Sequence, residues 1–164
     1  MIYYFIKLAY FFQIMILVDF PSYDFKVQSI GGKDQIFDTC RKKWVALTPE
    51  EWVRQNVLQY LIQVCKYPVE LIAIEKTIQL GSLNKRFDIL VYHGTTPWMI
   101  IECKEGNTNL DEKTILQLLQ YQQVLDAKYL IASNGHQTIG AEIKMGNLHM
   151  LQKFPNYIDS NLKD

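Results

Sequence analysis

Apolar residues recur at helical spacing in two stretches of the chain, residues 48–68 and 110–127. In the first stretch, Thr48 is a favourable N-cap and Pro49 suits the first helical position, where its missing N–H costs nothing. Glu51 follows Thr48 by three residues and completes a capping box. The pattern predicts two helices with one buried face each. In the first helix this face consists of residues 53, 57, 60, 61 and 64.

Stretches rich in β-branched and aromatic residues, bounded by turn residues, predict the strands. Two hairpins are expected, at residues 25–37 and 138–155. Between them the predicted strands cover residues 69–80, 86–93, 97–104 and 128–133. The order is hairpin, helix, three strands, helix, strand and hairpin, which is typical of a mixed α/β domain.

Residues 1–20 form a strongly apolar segment at the start of the chain. Lys7 and Gln13 interrupt it, so it falls short of the roughly 20 apolar residues that span a bilayer. No cleavage site of a signal peptide follows it. We interpret residues 21–164 as a single domain and expect no membrane partner. A membrane anchor is the other interpretation of the segment, and Met15 is an alternative start, with the preceding residues as upstream read-through.

Composition limits the class of protein and its partners. With 49% hydrophobic residues, the chain has enough apolar material for a core, which argues against disorder. Lysines and arginines number 17, as do aspartates and glutamates, so the overall basic excess that marks many nucleic-acid-binding domains is missing. A nucleic-acid partner therefore needs a local basic patch, for which the candidates are Arg41, Lys42, Lys43, Lys85, Arg86 and Lys113.

The cysteines, Cys40, Cys65 and Cys103, are odd in number and form no CxxC motif. This pattern predicts free thiols in a reducing compartment, so we expect a cytoplasmic protein. The three histidines are scattered and give no zinc-ligand spacing with the cysteines.

Three charged residues interrupt two otherwise apolar strands in the stretch KRFDILVYHGTTPWMIIECKEG, residues 85–106. If the two strands form an antiparallel hairpin centred on Thr95, Asp88 and Glu102 lie directly opposite each other. Opposed residues on one face have Cβ atoms about 4.5–5.5 Å apart. Lys104 follows Glu102 by two residues and shares its face, whereas Ile101 and Cys103 point into a core.

Two carboxylates at this separation repel each other, so either one takes up a proton or a cation lies between them. Mg²⁺ suits such a pair, because it prefers oxygen ligands and retains several waters. Lys104 beside the ion could orient or deprotonate an attacking water or stabilise a developing charge on phosphorus. The pattern therefore favours a site for phosphodiester hydrolysis.

A surface ion pair between Glu102 and Lys104 explains the same spacing without any chemistry. A slip of one residue in the pairing would also turn the charges to the other face. The flanking segments DILVY and MIIEC, however, are apolar on both faces, as in strands that are buried on two sides. Charges in such strands are costly, which favours the functional interpretation.

Asp88 followed by Glu102-x-Lys104 resembles the D…(D/E)xK signature of the restriction-endonuclease-like nucleases. Three further segments are similar to the N-terminal nuclease domain of type I restriction enzyme R subunits. These are PEEWVRQNVLQYLI on the first helix, VELIAIEKTIQLGSLNKRFDILVY leading into Asp88, and QLLQY on the second helix. The resemblance covers residues 35–155.

The resemblance implies a restriction-endonuclease-like αβββαβ core, with a mixed central sheet flanked by helices and an added N-terminal hairpin. It implies that Asp88 and Glu102 are metal ligands for Mg²⁺, with Mn²⁺ as a possible substitute, and that Lys104 is the catalytic lysine. Glu51 matches an acidic position on the first helix that completes such metal sites. Its alternative role is that of a capping residue.

Gln117 and Tyr121 match a QxxxY motif of related nucleases, in which they would bind phosphate or orient Lys104. Spaced by four residues, they share one helix face. Their alternative role is that of a partly solvated polar face on an otherwise apolar helix.

By this resemblance the expected function is that of a Mg²⁺-dependent DNA endonuclease of a restriction-modification system. The chain contains no GxxxxGK[ST] nucleotide-binding loop, so we expect a helicase or another restriction subunit to be supplied by a different chain. The alternative is a catalytically silent module of the same fold that binds nucleic acid or docks a subunit. Substrate form, target sequence and oligomeric state stay open.

Overall fold

The computed structural model describes residues 15, 16, 18–80 and 83–157, so residues 1–14 of the predicted apolar segment and of the read-through lie outside the described residues. The elements in chain order are β1 (Val27–Ile30), β2 (Lys33–Asp38), β3 (Lys43–Ala46), α1 (Pro49–Gln63), a short 3-10 turn (Val69–Leu71), β4 (Ile72–Leu80), β5 (Leu83–His93), β6 (Thr96–Cys103), α2 (Glu112–Leu125), β7 (Tyr129–Ser133), β8 (Thr138–Lys144) and β9 (Asn147–Met150).

A six-stranded mixed sheet in the order β4-β5-β6-β7-β8-β9 forms the centre of the domain. Strands β6 and β7 are parallel and α2 connects them, while the other neighbours are antiparallel. The order α1-β4-β5-β6-α2-β7 confirms the predicted αβββαβ core. Strands β1, β2 and β3 form a separate antiparallel sheet, of which sequence reasoning identified the first two strands but not β3.

Helix α1 begins as its sequence predicts. Pro49 occupies the first turn, and the Thr48 side chain accepts a hydrogen bond from the N–H of Glu51. The predicted apolar face is wrong at Val64, because this residue caps the helix and is 41% exposed. The prediction also omitted Leu58, which is buried. The inward face is thus wider than the spacing alone indicated.

The central sheet is buried on both faces. Val57 and Leu61 of α1 pack with Ile101 and Cys103 on one face. Helix α2 packs on the other face, where its Leu118 joins Ile100, Leu90 and Leu130. This two-sided burial was predicted from the DILVY and MIIEC segments, and it means that the charges of Asp88 and Glu102 lie between two apolar layers.

Residues before the predicted domain boundary also pack against this core. Met15 forms an antiparallel bridge with Ile139, and the N–H of Ile16 donates to the carbonyl of Thr138 at 2.8 Å. Ile16 is buried against Gly140, where a Cβ would lie 2.9 Å from Ile16 Cδ1. The glycine therefore permits this close approach.

All three cysteines are free thiols, as predicted. Within residues 15, 16, 18–80 and 83–157, none of the helices combines the length and the apolar character needed to cross a membrane.

We expect Leu61→Ala to lower the free energy of unfolding by about 2–5 kcal/mol, because it leaves a cavity at a fully buried position. Leu116→Ala is the matched control: the same change on a helix, at a residue that is 58% exposed, should cost less than about 0.5 kcal/mol. Urea unfolding of both variants measures the difference, and equal losses would contradict the assignment of the core.

Candidate active site

The pairing of β5 with β6 decides which side chains meet at the candidate site. The turn consists of two residues, so His93 pairs with Thr96 and Tyr92 with Pro97. The register then shifts, and Val91 pairs with Met99, which leaves Trp98 as an extra residue. The turn is therefore centred between Gly94 and Thr95, and the predicted centre on Thr95 is wrong.

Beyond the bulge at Trp98, the register is the one predicted from Val91 to Ile89. The last backbone partners are Ile89 and Ile101, so the direct pairing of Asp88 with Glu102 stays a prediction. Both acidic residues are buried, with exposed fractions of 7% and 6%.

Asp88 lies where the ladders on both sides of β5 are interrupted. Its Oδ2 accepts the N–H of Cys103 at 2.8 Å, so a side chain replaces the backbone pairing toward β6. Toward β4, the facing residue is Glu75, which has a left-handed φ of 49°. Oδ1 of Asp88 accepts a hydrogen bond from Nη2 of Arg54 at 3.0 Å. Asp88 is therefore fixed by a strand and by α1 together.

Glu102 belongs to a second hydrogen-bonded group, formed with α2. Its Oε1 accepts from Lys104 Nζ at 2.8 Å and from Gln117 Nε2 at 2.7 Å. The same Gln117 nitrogen donates to the Tyr121 hydroxyl at 2.7 Å, while Lys104 Nζ lies 3.4 Å from Gln117 Oε1. The structure thus brings these four predicted site residues into contact.

The two carboxylates influence each other electrostatically. Burial raises the pKa of Glu102 and the charge of Asp88 raises it further, against the opposing effect of Lys104 and Gln117. Burial alone would lower the pKa of Lys104, but its bond to Glu102 and the negative charge there raise it on balance. Lys104 is therefore held protonated, which favours a role in orienting or stabilising charge over the predicted alternative of deprotonating a water.

Glu51, predicted to complete a metal site, is held between two arginines. Its Oε1 accepts from Arg41 Nη2 at 2.6 Å and from Gln55 Nε2 at 2.8 Å, and its Oε2 accepts from Arg54 Nη1. Because Arg54 also bonds Asp88, it connects Glu51 to the candidate site. A role of Glu51 as a metal ligand stays a prediction.

Arg41 was predicted to belong to a basic surface, but its guanidinium points inward. Besides Glu51, it bonds Asp38 through Nε at 2.6 Å and Glu75 through Nη1. Sequence reasoning did not assign these roles to Arg41, Asp38 or Glu75. Asp38 and Arg41 are only three residues apart, but Glu75 comes from β4, and no spacing along the chain could have indicated its contact with Arg41.

Of the other predicted basic residues, Lys42, Lys43, Arg86 and Lys113 are exposed, and the side chain of Lys85 lies outside the described residues. Sequence reasoning also did not assign the contact of Arg54 with Asp88, although Arg54 is a charged residue next to the predicted apolar position Val53.

The candidate site fits a hydrated divalent ion held by two carboxylates better than an ion enclosed by three protein ligands. Among the described residues, no three His, Cys, Asp or Glu side chains converge closely enough to hold an ion together. Within the same part of the chain, no hydrogen bond reaches Oε2 of Glu102. Asp88 and Glu102 supply the hard oxygen ligands that Mg²⁺ prefers while it retains waters.

A cavity of about 240 Å³ lies between the start of α1 and the loops that follow β6 and β7. The N–H of Lys104 donates to the carbonyl of Ser133, so the loops that follow the parallel strands β6 and β7 lie side by side. The cavity is lined by Trp52 from α1 and by Gly106 and His136 from these two loops, among other residues. None of the five predicted site residues Asp88, Glu102, Lys104, Gln117 and Tyr121 lines this cavity.

Fold and site together define a mixed α/β domain in which an aspartate in the middle of β5 lies beside a glutamate and a lysine at the end of β6. The family described as type I restriction enzyme R protein N terminus matches residues 49–155, and the chain belongs to this family.

Among solved structures, the chain is similar to a fragment of a candidate HsdR subunit of a type I restriction enzyme from Vibrio vulnificus YJ016. The identity is 24% and the TM-score 0.41, and the match covers 52% of this chain. It covers 19% of the Vibrio chain, so this chain spans about a fifth of that protein. No curated protein matches the chain.

Glu102→Gln should stabilise the folded protein at neutral pH but not at acid pH. Because the folded pKa of Glu102 is raised above its ordinary 4.5, the protonated side chain contributes stability below that value. This contribution is lost as the pH rises through the folded pKa, whereas glutamine does not ionise. The free energy of unfolding of both proteins, measured from pH 4 to 8, should therefore diverge as the pH rises.

Glu105→Gln, at an exposed position, is the control and should follow the wild type throughout. A wild-type protein that gains stability over the Glu102→Gln variant with rising pH would contradict the burial of this charge.

Proposed function

We propose that the protein is a Mg²⁺-dependent DNA endonuclease, in which Asp88 and Glu102 hold the ion and Lys104 acts on the scissile phosphate. The single observation that supports this most is the hydrogen-bonded group of Glu102, Lys104, Gln117 and Tyr121 beside Asp88. Membership in the restriction R-protein family supports a nuclease-related role. Mn²⁺ is expected to substitute for Mg²⁺.

Bound at the two carboxylates, Mg²⁺ would supply Lewis acidity and lower the pKa of a bound water. The chain itself contributes a fixed positive charge. Lys104 stays protonated because Glu102 bonds it, and its side chain retains 26% exposure, so a phosphate can reach it. A preorganised cation at this place stabilises the negative charge that develops on the phosphoryl oxygens.

Gln117 and Tyr121 act as positioning residues in this proposal. Gln117 bonds Glu102 and Tyr121 through its nitrogen and approaches Lys104 through its oxygen, so it fixes the carboxylate and the ammonium group relative to each other. The Tyr121 hydroxyl also lies 3.4 Å from the carbonyl of Arg86, which connects α2 to the strand that carries Asp88.

The exposed residues Lys42, Lys43, Arg86 and Lys113 would contact the DNA backbone. Contacts of this kind release counterions, so binding should weaken steeply with rising salt concentration. A helicase or another restriction subunit from a separate chain is the proposed partner that delivers the DNA, and the free thiols suit the reducing cytoplasm.

Lys104→Ala should lower the rate of plasmid cleavage with Mg²⁺ or Mn²⁺ by about 100-fold or more, because it removes the charge that stabilises the transition state. Glu102→Ala should abolish cleavage by removing a proposed metal ligand. The matched control is Lys128→Ala, which also breaks a lysine–glutamate pair of partial exposure, with Glu142 at 3.3 Å, and should cleave like the wild type.

Cleavage that survives both Glu102→Ala and Lys104→Ala would assign the activity to another site or to a contaminant. If the wild type binds single-stranded or plasmid DNA in a salt-dependent manner but does not cleave it with either metal, the chain is the silent binding module.

A further inference from the structure

Arg54 is the most buried of the described cations around the candidate site. The residue is 3% exposed, and four carboxylates surround its guanidinium group, of which that of Glu75 is the farthest at 3.9 Å. Nη2 donates to Glu50 Oε1 at 2.7 Å and to Asp88 Oδ1 at 3.0 Å, and Nη1 donates to Glu51. The forked guanidinium thus bridges the helix α1 to strand β5.

This contact occupies the proposed metal ligand Asp88. Its Oδ1 is bound by Arg54 and its Oδ2 by the N–H of Cys103, so a divalent ion that approaches Asp88 meets a guanidinium already in place. Burial alone would lower the pKa of Arg54, but the charges of Asp88 and Glu51 raise it on balance. A permanent positive charge within a few ångströms of a second cation repels it strongly at a site shielded from water.

Arg54 is also incompletely satisfied in this position. Its Nε is buried and has no hydrogen-bond partner among the described residues. A buried donor without an acceptor is unfavourable. The guanidinium of Arg54 is therefore not fully paired in this position. If Arg54 releases Asp88, its hydrogen bonds to Glu50 and Glu51 remain in place.

We propose that Arg54 is a positioning residue that acts as an internal counterion of the metal site: it holds Asp88 in the metal-free protein and competes with the divalent ion for it. The proposal rests on the assignment of Asp88 as a metal ligand in the proposed function. Its consequence is that the DNA-free protein binds Mg²⁺ or Mn²⁺ more weakly than its carboxylates alone would.

Arg41 provides a matched control within the same charge network. It also bonds Glu51 and is mostly buried, but its other partners are Asp38 and Glu75. Like the removal of Arg54, the removal of Arg41 takes one positive charge from the network, but it leaves Asp88 bound to Arg54. A comparison of the two arginines therefore separates competition at Asp88 from a general electrostatic effect.

The test is Mn²⁺ binding to the DNA-free protein, followed by electron paramagnetic resonance of the free ion. We expect Arg54→Gln to bind Mn²⁺ at least tenfold more tightly than the wild type, and Arg41→Gln to stay within about threefold of it. The gain should disappear in the Arg54→Gln, Asp88→Asn double variant. An unchanged or weaker affinity of Arg54→Gln, an equal gain in Arg41→Gln, or a gain that survives Asp88→Asn overturns the proposal.

A measurement on the wild type covers the case in which Arg54→Gln does not fold. With saturating Mg²⁺, the Nε–Hε resonance of Arg54 should move further in a ¹H–¹⁵N spectrum than that of Arg41, because only Arg54 leaves a metal ligand. An Arg54 resonance that does not move on addition of Mg²⁺ overturns the proposal. Neither test uses DNA, so the two proposals can fail separately. Tighter metal binding by Arg54→Gln without any DNA cleavage by the wild type supports the counterion and refutes the nuclease. DNA cleavage by the wild type without tighter metal binding by Arg54→Gln supports the nuclease and refutes the counterion.

Discussion

The extra residue in β6 is the constraint on which the candidate site depends. The two-residue turn between β5 and β6, continued without interruption, would place Asp88 opposite Ile101 and turn Glu102 toward α1. Trp98 shifts the pairing by one residue, and a shift of one residue exchanges the faces of every side chain beyond it. The bulge therefore turns Glu102 toward α2 and Cys103 into the core beneath α1.

Charges within two buried strands need partners, because unpaired buried charges are strongly destabilising. The chain supplies these partners from two directions. Arg54 of α1 reaches Asp88, and Gln117 of α2 reaches Glu102, which Lys104 also bonds. The two groups are coupled through the repulsion between the carboxylates, which is the interaction that a divalent ion would relieve.

The N-terminal sheet contributes to the same charge balance through Arg41. This residue follows β2 and places its guanidinium between Asp38, Glu51 and Glu75. Glu75 adopts a left-handed backbone within β4, a conformation that costs roughly 1–2 kcal/mol for a residue with a side chain. The structure retains it at the point where β4 faces Asp88, and strained residues of this kind concentrate at functional sites.

The sequence was sufficient for interactions that repeat at fixed spacing and insufficient for those that cross between segments. Thr48, the Glu102–Lys104 pair and the Gln117–Tyr121 pair follow from the periods of a helix and a strand, and each lies where it was expected. The expected pairing of Asp88 with Glu102 has a different origin.

That pairing stays a prediction, and the register that leads to it, from Val91 to Ile89, agrees with the expected one only because two errors cancelled, one in the centre of the turn and one in the unrecognised bulge at Trp98. The turn residues themselves indicate the tighter turn and would have given the wrong face. The contact of Arg54 with Asp88 depends on how α1 packs against the sheet, and the contact of Arg41 with Glu75 depends on where the segment between β2 and β3 lies. No local pattern encodes either placement. Sequence therefore indicated the two carboxylates and the lysine of the candidate site, while the contact of Arg54 with Asp88 became visible only in three dimensions.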